Sequence, residues 1–186
     1  MVNMFVTVDG LQINYEAYGS GPKLLLLHGW ATNLHSFDKV AQILSQKFQV
    51  LKVDLPGFGL SQAPAKTYGV FDYADFVEKF LDFLDVKEVF ILGHSMGGAV
   101  AIAYCSKYSR AKKLILEDSA GIRRNKSLTT RIKIYLYRTL KLLVLPLYRE
   151  QLKNFFGSPD YKNAGPMRKI LIKFVNEDLR AVLDLV

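Results

Sequence analysis

The 186-residue sequence predicts an α/β fold: a mostly parallel, doubly wound sheet carrying a helical addition. Three observations lead there. Short β-type runs alternate with helical patterns through the first two-thirds of the chain. Asp9-Gly10 sets an antiparallel hairpin at the start. After residue 121 only helical patterns remain. A hairpin followed by βαβα alternation argues for strands that run mostly parallel, with helices on both faces of the sheet.

The elements follow in order. "MFVTV" (4–8) and "LQINYEAYG" (11–19) flank Asp9-Gly10, a strong two-residue turn signal. "KLLLLHG" (23–29) is a continuous apolar run, as expected of a strand buried on both faces. "SFDKVAQILSQKF" (36–48) has helical spacing, with Phe37, Val40, Ile43 and Leu44 predicted on its inner face. "QVLKVDLPG" (49–57) is a strand stopped by Pro56 and Gly57. "VFDYADFVEKFLDFLD" (70–85) predicts a helix burying Phe71, Ala74, Val77, Leu81 and Leu84. "EVFILG" (88–93), "MGGAVAIAYCSKY" (96–108) and "KKLILED" (112–118) complete the alternation as strand, helix, strand. Residues 125–156 and 161–185 read as helices, interrupted by Pro146 and by "GSPD" at 157–160.

Composition narrows the class. Half the residues are hydrophobic and 23% are charged, a folded-protein balance. The single cysteine, Cys105, excludes an internal disulfide and fits a reducing compartment. No signal peptide is visible in "MVNMFVTVDG", and the most apolar stretch (134–148) is too short to span a bilayer. The expectation is a cytoplasmic protein with no transmembrane segment.

The net charge of +8 is uneven: residues 1–121 balance to −1, and residues 122–186 carry +9. Together with the change of secondary structure, this places a boundary between a core at 1–121 and a helical cap at 122–186. The cap's charges are interleaved with apolar residues at helical spacing, as on a solvated helix face. A basic region of this kind also fits weak contact with an anionic surface. There is no zinc-ligand spacing and no alternation of aromatic with basic residues, so no nucleic-acid partner is expected. No metal and no cofactor are predicted.

The chemistry concentrates in "FILGHSMGGAV" (90–100). Gly93, Ser95 and Gly97 match G-x-S-x-G between an apolar strand and a helix. That pattern makes a sharp turn that holds a serine hydroxyl above the sheet, and its glycines are needed because strand and helix come too close for side chains. The Met96 N–H, at the helix N-terminus, then faces the position of an oxyanion. Gly98 extends the small-residue run. His28-Gly29-Trp30 ends the third strand, where a second oxyanion-binding N–H would come from the following loop, and "DLPGFGLS" (54–61) ends the fourth.

The order H-G, D-x-P-G-x-G-x-S, G-x-S-x-G-G resembles the cap-bearing branch of the α/β-hydrolase superfamily over essentially the whole chain. The resemblance implies an acyl-transfer site with Ser95 as nucleophile and the N–H groups of Trp30 and Met96 as the oxyanion hole. His28 and Gly29 would then support the oxyanion loop. A serine at the nucleophile position points to a small-molecule substrate with a carboxylic ester, or with a C–C bond beside a carbonyl. Cap residues Tyr135, Tyr137, Leu143, Phe155 and Phe156 would suit an apolar acyl or aromatic group, or simply pack the core.

The base is the difficulty. In the family, acid and histidine follow the nucleophile in the chain. None of the three histidines here, His28, His35 and His94, lies after Ser95. His94 should direct its ring away from the elbow, and His35 should open the first helix. Asp118, after the sixth strand, occupies an alternative acid position but has no histidine to serve. Asp54 is expected to fix the turn after the fourth strand, and Cys105 to pack the core. The resemblance therefore implies a sheet stopping after about six strands without the family's last third, a near-inactive form with an open, apolar edge. The alternative is a ligand-binding protein on the same fold that does not hydrolyse.

Overall fold

The computed structural model describes residues 3–123, 127–143 and 159–186. Six strands form one sheet: β1 (Met4–Val8), β2 (Leu11–Tyr18), β3 (Lys23–Leu27), β4 (Gln49–Val53), β5 (Val89–His94) and β6 (Ala111–Glu117), in the order β1-β2-β4-β3-β5-β6. β1 pairs with β2, and β2 with β4, antiparallel; β4, β3, β5 and β6 run parallel. The hairpin joining β1 to β2 turns at Asp9 (φ 51°) and Gly10 (φ 76°), the two positive dihedrals that a type I′ turn requires.

β3 sits in the middle of the parallel strands, with Leu25 beside Leu51 of β4 on one side and Ile91 of β5 on the other. Its four leucines divide between the two faces by simple alternation. Leu25 and Leu27 join Val53, Ile91 and the helices α2 (Val70–Phe83) and α3 (Met96–Lys107) in the larger core. Leu24 and Leu26 join Val50, Phe37 and Ala41 beneath α1 (Asp38–Leu44). Helices on both faces make the sheet doubly wound.

Two helix faces differ from the pattern reading. α1 ends at Leu44, and it buries Ala41 while Phe37 is buried in the 3-10 turn at 34–37 before it; Val40 and Ile43 are exposed. The chain enters α1 through that turn, which rotates the periodic stripe away from the sheet. In α2, Phe71 is exposed and the buried stripe is wider, including Tyr73, Phe76 and Phe80. α2 packs beside α3 and against β1, so it is covered on two sides.

The segment predicted as one helix over 161–185 is broken up. It forms α5 (Pro159–Asn163), a 3-10 turn at 165–167, α6 (Arg168–Asn176) and a 3-10 stretch at 179–185. Gly165 has φ 49° and Pro166 opens a new turn, so α5 cannot run on; Asp178 caps the last stretch by accepting the Arg180 N–H. In the segment predicted helical over 125–156, the structure shows α4 (Leu128–Leu143). Phe155, Phe156 and Pro146 lie outside the described residues.

Residues after 165 pack onto the core. Ile170, Phe174 and Leu179 are buried in its larger cluster, and the Phe174 ring meets Tyr73 edge-on at 6.2 Å. Lys173 pairs with Asp72 at 2.8 Å, Glu177 accepts the Val70 N–H, and Leu179 N–H donates to the Gly121 carbonyl at 2.8 Å. Among the described residues β6 pairs with β5 alone, leaving Ile115 and Leu116 exposed at the sheet edge. No described helix is long and apolar enough to cross a membrane.

Candidate active site

β5 ends at His94 and α3 begins at Met96, so Ser95 alone makes the turn between them. It does so with φ 50° and ψ −112°, a conformation that non-glycine residues avoid. Four backbone bonds hold it there. The Ser95 N–H donates to the Glu117 carbonyl (3.1 Å), and the Ser95 carbonyl accepts from Gly98 (3.1 Å), Ala99 (3.2 Å) and Ala120 (2.9 Å). The loop Ser119–Gly121 thus buttresses the turn, a contribution the sequence reading missed; the run of small residues after β6 was its only signal. Strain of this kind persists only where the surrounding structure over-determines it, and it recurs at functional sites.

The glycines explain how closely the pieces meet. A Cβ on Gly93 would lie 2.5 Å from the Gly97 carbonyl oxygen, and one on Gly97 would overlap the Leu27 carbonyl oxygen at the end of β3. A Cβ on Gly98 would overlap the Ser119 hydroxyl. The N-terminus of α3 is therefore wedged between the ends of β3 and β6. Met96 N–H, in the first turn of α3, has no carbonyl one turn back to bond. Its side chain is buried.

The His28-Gly29-Trp30 stretch faces the elbow. A Cβ on Gly29 would lie 3.4 Å from the Ser95 Cβ and 3.0 Å from His94 Nδ1. The His94 ring therefore lies beside the elbow against Gly29, nearer than expected, although no hydrogen bond joins it to Ser95 among the described residues. Trp30 packs edge-on against Phe58, with 5.0 Å between ring centroids, and Phe58 also meets His28 at 5.5 Å.

His28 is fully buried and both its nitrogens are committed to backbone. Nδ1–H donates to the Gly29 carbonyl (2.8 Å), and Nε2 accepts the Leu55 N–H (3.0 Å). Burial pushes its pKa below 6.5, outweighing the Gly29 hydrogen bond and the Asp54 charge. A neutral imidazole tied at both ends holds two loops together and has no lone pair left to accept a proton. His35 is exposed and pairs with Asp38 at 3.2 Å.

Asp54 organises the turn after β4. Its Oδ1 accepts the Leu34 N–H (2.8 Å), and its Oδ2 accepts Asn14 Nδ2–H (2.8 Å) and the Leu60 N–H (2.9 Å). Asp118, with φ 43°, leaves β6 into a cleft of about 620 Å³ lined also by Arg123, Phe174 and Glu177. Ser95 does not line that cleft. Cys105 is half-buried and burial pushes its thiol up to about 11, which leaves it inert near neutral pH.

Glu16, His35 and Asp38 bring ligand atoms within 4.8 Å of one another. The fully buried Lys52 ammonium lies among them, 2.7 Å from Glu16 and bonded to Asp38, so the place a cation would take is held by a side chain. Burial alone would lower the Lys52 pKa, but the bonds to Asp38 and Glu16 outweigh it and raise it.

A family model described as alpha/beta hydrolase fold matches residues 22–155, most of the chain. The chain belongs to the α/β-hydrolase fold family. It is 35% identical over 129 residues to an uncharacterised protein of Mycobacterium tuberculosis, covering 69% of this chain and 38% of that one. It is 35% identical over 121 residues to the uncharacterised hydrolase YugF of Bacillus subtilis, covering 62% and 44%. Among solved structures, a membrane phospholipase A, a bacterial virulence factor, aligns with a TM-score of 0.76 and 25% identity over 100% of this chain and 66% of that one. The matches thus span less than half the length of these curated relatives. In α/β-hydrolase terms, the structure holds the sheet through β6, the strand-to-helix elbow and the loop after β3 in mutual contact.

Proposed function

We propose that this α/β-hydrolase chain carries the nucleophile and oxyanion donors of a serine hydrolase acting on a carboxylic ester or on a C–C bond beside a carbonyl. Residues 122–186 would provide its cap. The observation that carries the reading is Ser95 at φ 50° between β5 and α3, held by four backbone hydrogen bonds. Oγ would attack the carbonyl carbon while the N–H groups of Met96 and Trp30 receive the developing oxyanion. The hydroxyl proton passes to a base, the bond to the leaving group breaks, and water then releases the acyl group from Ser95.

None of the three histidines is placed to be that base. His28 has both nitrogens engaged, His35 pairs with Asp38, and His94 makes no bond to Ser95 among the described residues. With oxyanion donors and binding alone, related systems retain roughly 10³–10⁴-fold acceleration over water. That none of the three histidines bonds to Ser95 favours a second reading, a pocket that binds carbonyl ligands without turning them over.

A fluorophosphonate probe with added imidazole separates the two. In the hydrolase reading, Ser95 is labelled slowly, imidazole speeds the labelling by standing in for the base, and Ser95→Ala abolishes it. Labelling that ignores imidazole while an ester analogue still binds at one equivalent supports the binding protein. Labelling that persists in Ser95→Ala removes Ser95 from the nucleophile role.

A further inference from the structure

α4 carries an apolar stripe with no described element packed along it. Leu128, Ile132, Tyr135, Leu136 and Leu140 recur at helical spacing on one side, and all are exposed, Leu128 by 71% and Tyr135 by 68%. A helix of a soluble core normally turns such a stripe inward. Charge gives a second, independent observation. Between Asp118 and Glu150 the sequence has eight Lys and Arg and no acidic residue, and Arg123 and Arg131 are exposed.

We propose that α4 is an interfacial helix that seats this chain on an anionic lipid surface. Apolar side chains along one side of a basic helix can enter the boundary between headgroups and acyl chains while the cations meet lipid phosphates. The 16 described residues of α4 span about 24 Å and include Arg131, Lys133, Arg138 and Lys141, a charge density that suits a helix lying on the membrane rather than one crossing its hydrocarbon core. A second copy of the chain is a poor occupant, because it would set the same acid-free, basic stretch against itself. The proposal stands apart from the role of Ser95: it concerns where the chain sits, whatever the elbow does there.

The test is co-sedimentation of the 186-residue chain with phosphatidylcholine vesicles, with and without phosphatidylglycerol, at low and raised salt. Binding should be at least about tenfold tighter to the anionic vesicles and weaken as salt screens it. Arg123→Gln and Arg131→Gln should each lower it by about fivefold. Ile132→Glu with Leu136→Glu should lower it further by about tenfold or more, with an unchanged thermal transition because both side chains are already exposed. Equal binding to neutral vesicles, no binding to anionic ones, or indifference to the Ile132/Leu136 pair overturns the proposal. So does a concentration-dependent dimer that the pair abolishes in the absence of vesicle binding, which would assign the stripe to self-association.

Discussion

Replacing Ser95 by glycine should make the protein more stable. A non-glycine residue in a sparsely populated region of this kind costs about 1–3 kcal/mol. Glycine relieves that strain but loses about 0.5–1 kcal/mol more backbone entropy on folding than other residues. The conformation itself will be kept, because the bonds from Ser95 to Glu117, Gly98, Ala99 and Ala120 are all backbone bonds that glycine can make. The net gain is about 1 kcal/mol, or about 2–4 °C in Tm for a chain of this size. Ser95→Ala retains the strain. The Ser95 hydroxyl has no hydrogen-bond partner among the described residues, so alanine should change stability by less than about 0.5 kcal/mol. Urea unfolding with a common m-value reads the difference between the two variants, and both should lose phosphonate labelling. A glycine variant no more stable than the alanine variant would refute the claim that the elbow stores strain.

Gly97→Ala should be among the most damaging single-methyl additions in the chain. The new Cβ meets the Leu27 and His28 carbonyl oxygens, which are backbone and cannot swing aside, so a cost of about 3 kcal/mol or more is expected, with loss of Ser95 labelling; retention of both stability and labelling would contradict the wedge described between β3 and α3. His28 should give a pH dependence of known sign. Its folded pKa lies below 6.5, so below that pH the unfolded chain takes up a proton that the folded one refuses. Its contribution is therefore complete above about pH 6.5 and lost as the pH falls, and His28→Gln should flatten that limb of the profile measured by urea midpoints between about pH 5 and 8. Parallel profiles for the two proteins would rule it out.

The parts of the fold that could be read from the sequence are those written locally. The Asp9-Gly10 turn, the buried run Leu24–Leu27 and the Gly93–Gly98 elbow each depend on neighbours in the chain. The elbow's glycines are where the reading was sharpest, since the spacing states directly that two backbones meet. What escaped it depends on distant residues. Lys52, the one charged residue of β4, gives no sign that Glu16 and Asp38 will close over it in the interior. Val40 and Ile43 have correct helical spacing, but the direction of α1 is set by the 3-10 turn before it, and that turn is fixed by the Asp54 carboxylate holding the Leu34 N–H. His94 was expected to point away from the elbow, yet the direction of its ring follows from space left by Gly29, sixty-odd residues earlier. Phe155 and Phe156, expected to line a cap, lie outside the described residues.

The sheet order has a consequence for a nascent chain. β3 pairs with β4 and with β5, and the second of these partners ends 67 residues after β3 does. At about 5–20 residues per second of synthesis, the Leu24–Leu27 run waits roughly 3–13 s with one flank unpaired. Over that interval its apolar edge is open to chaperones and to neighbouring chains. The wait ends only when β5 docks, and the residue that follows β5 directly is Ser95, so the elbow can take shape only once the centre of the sheet has closed.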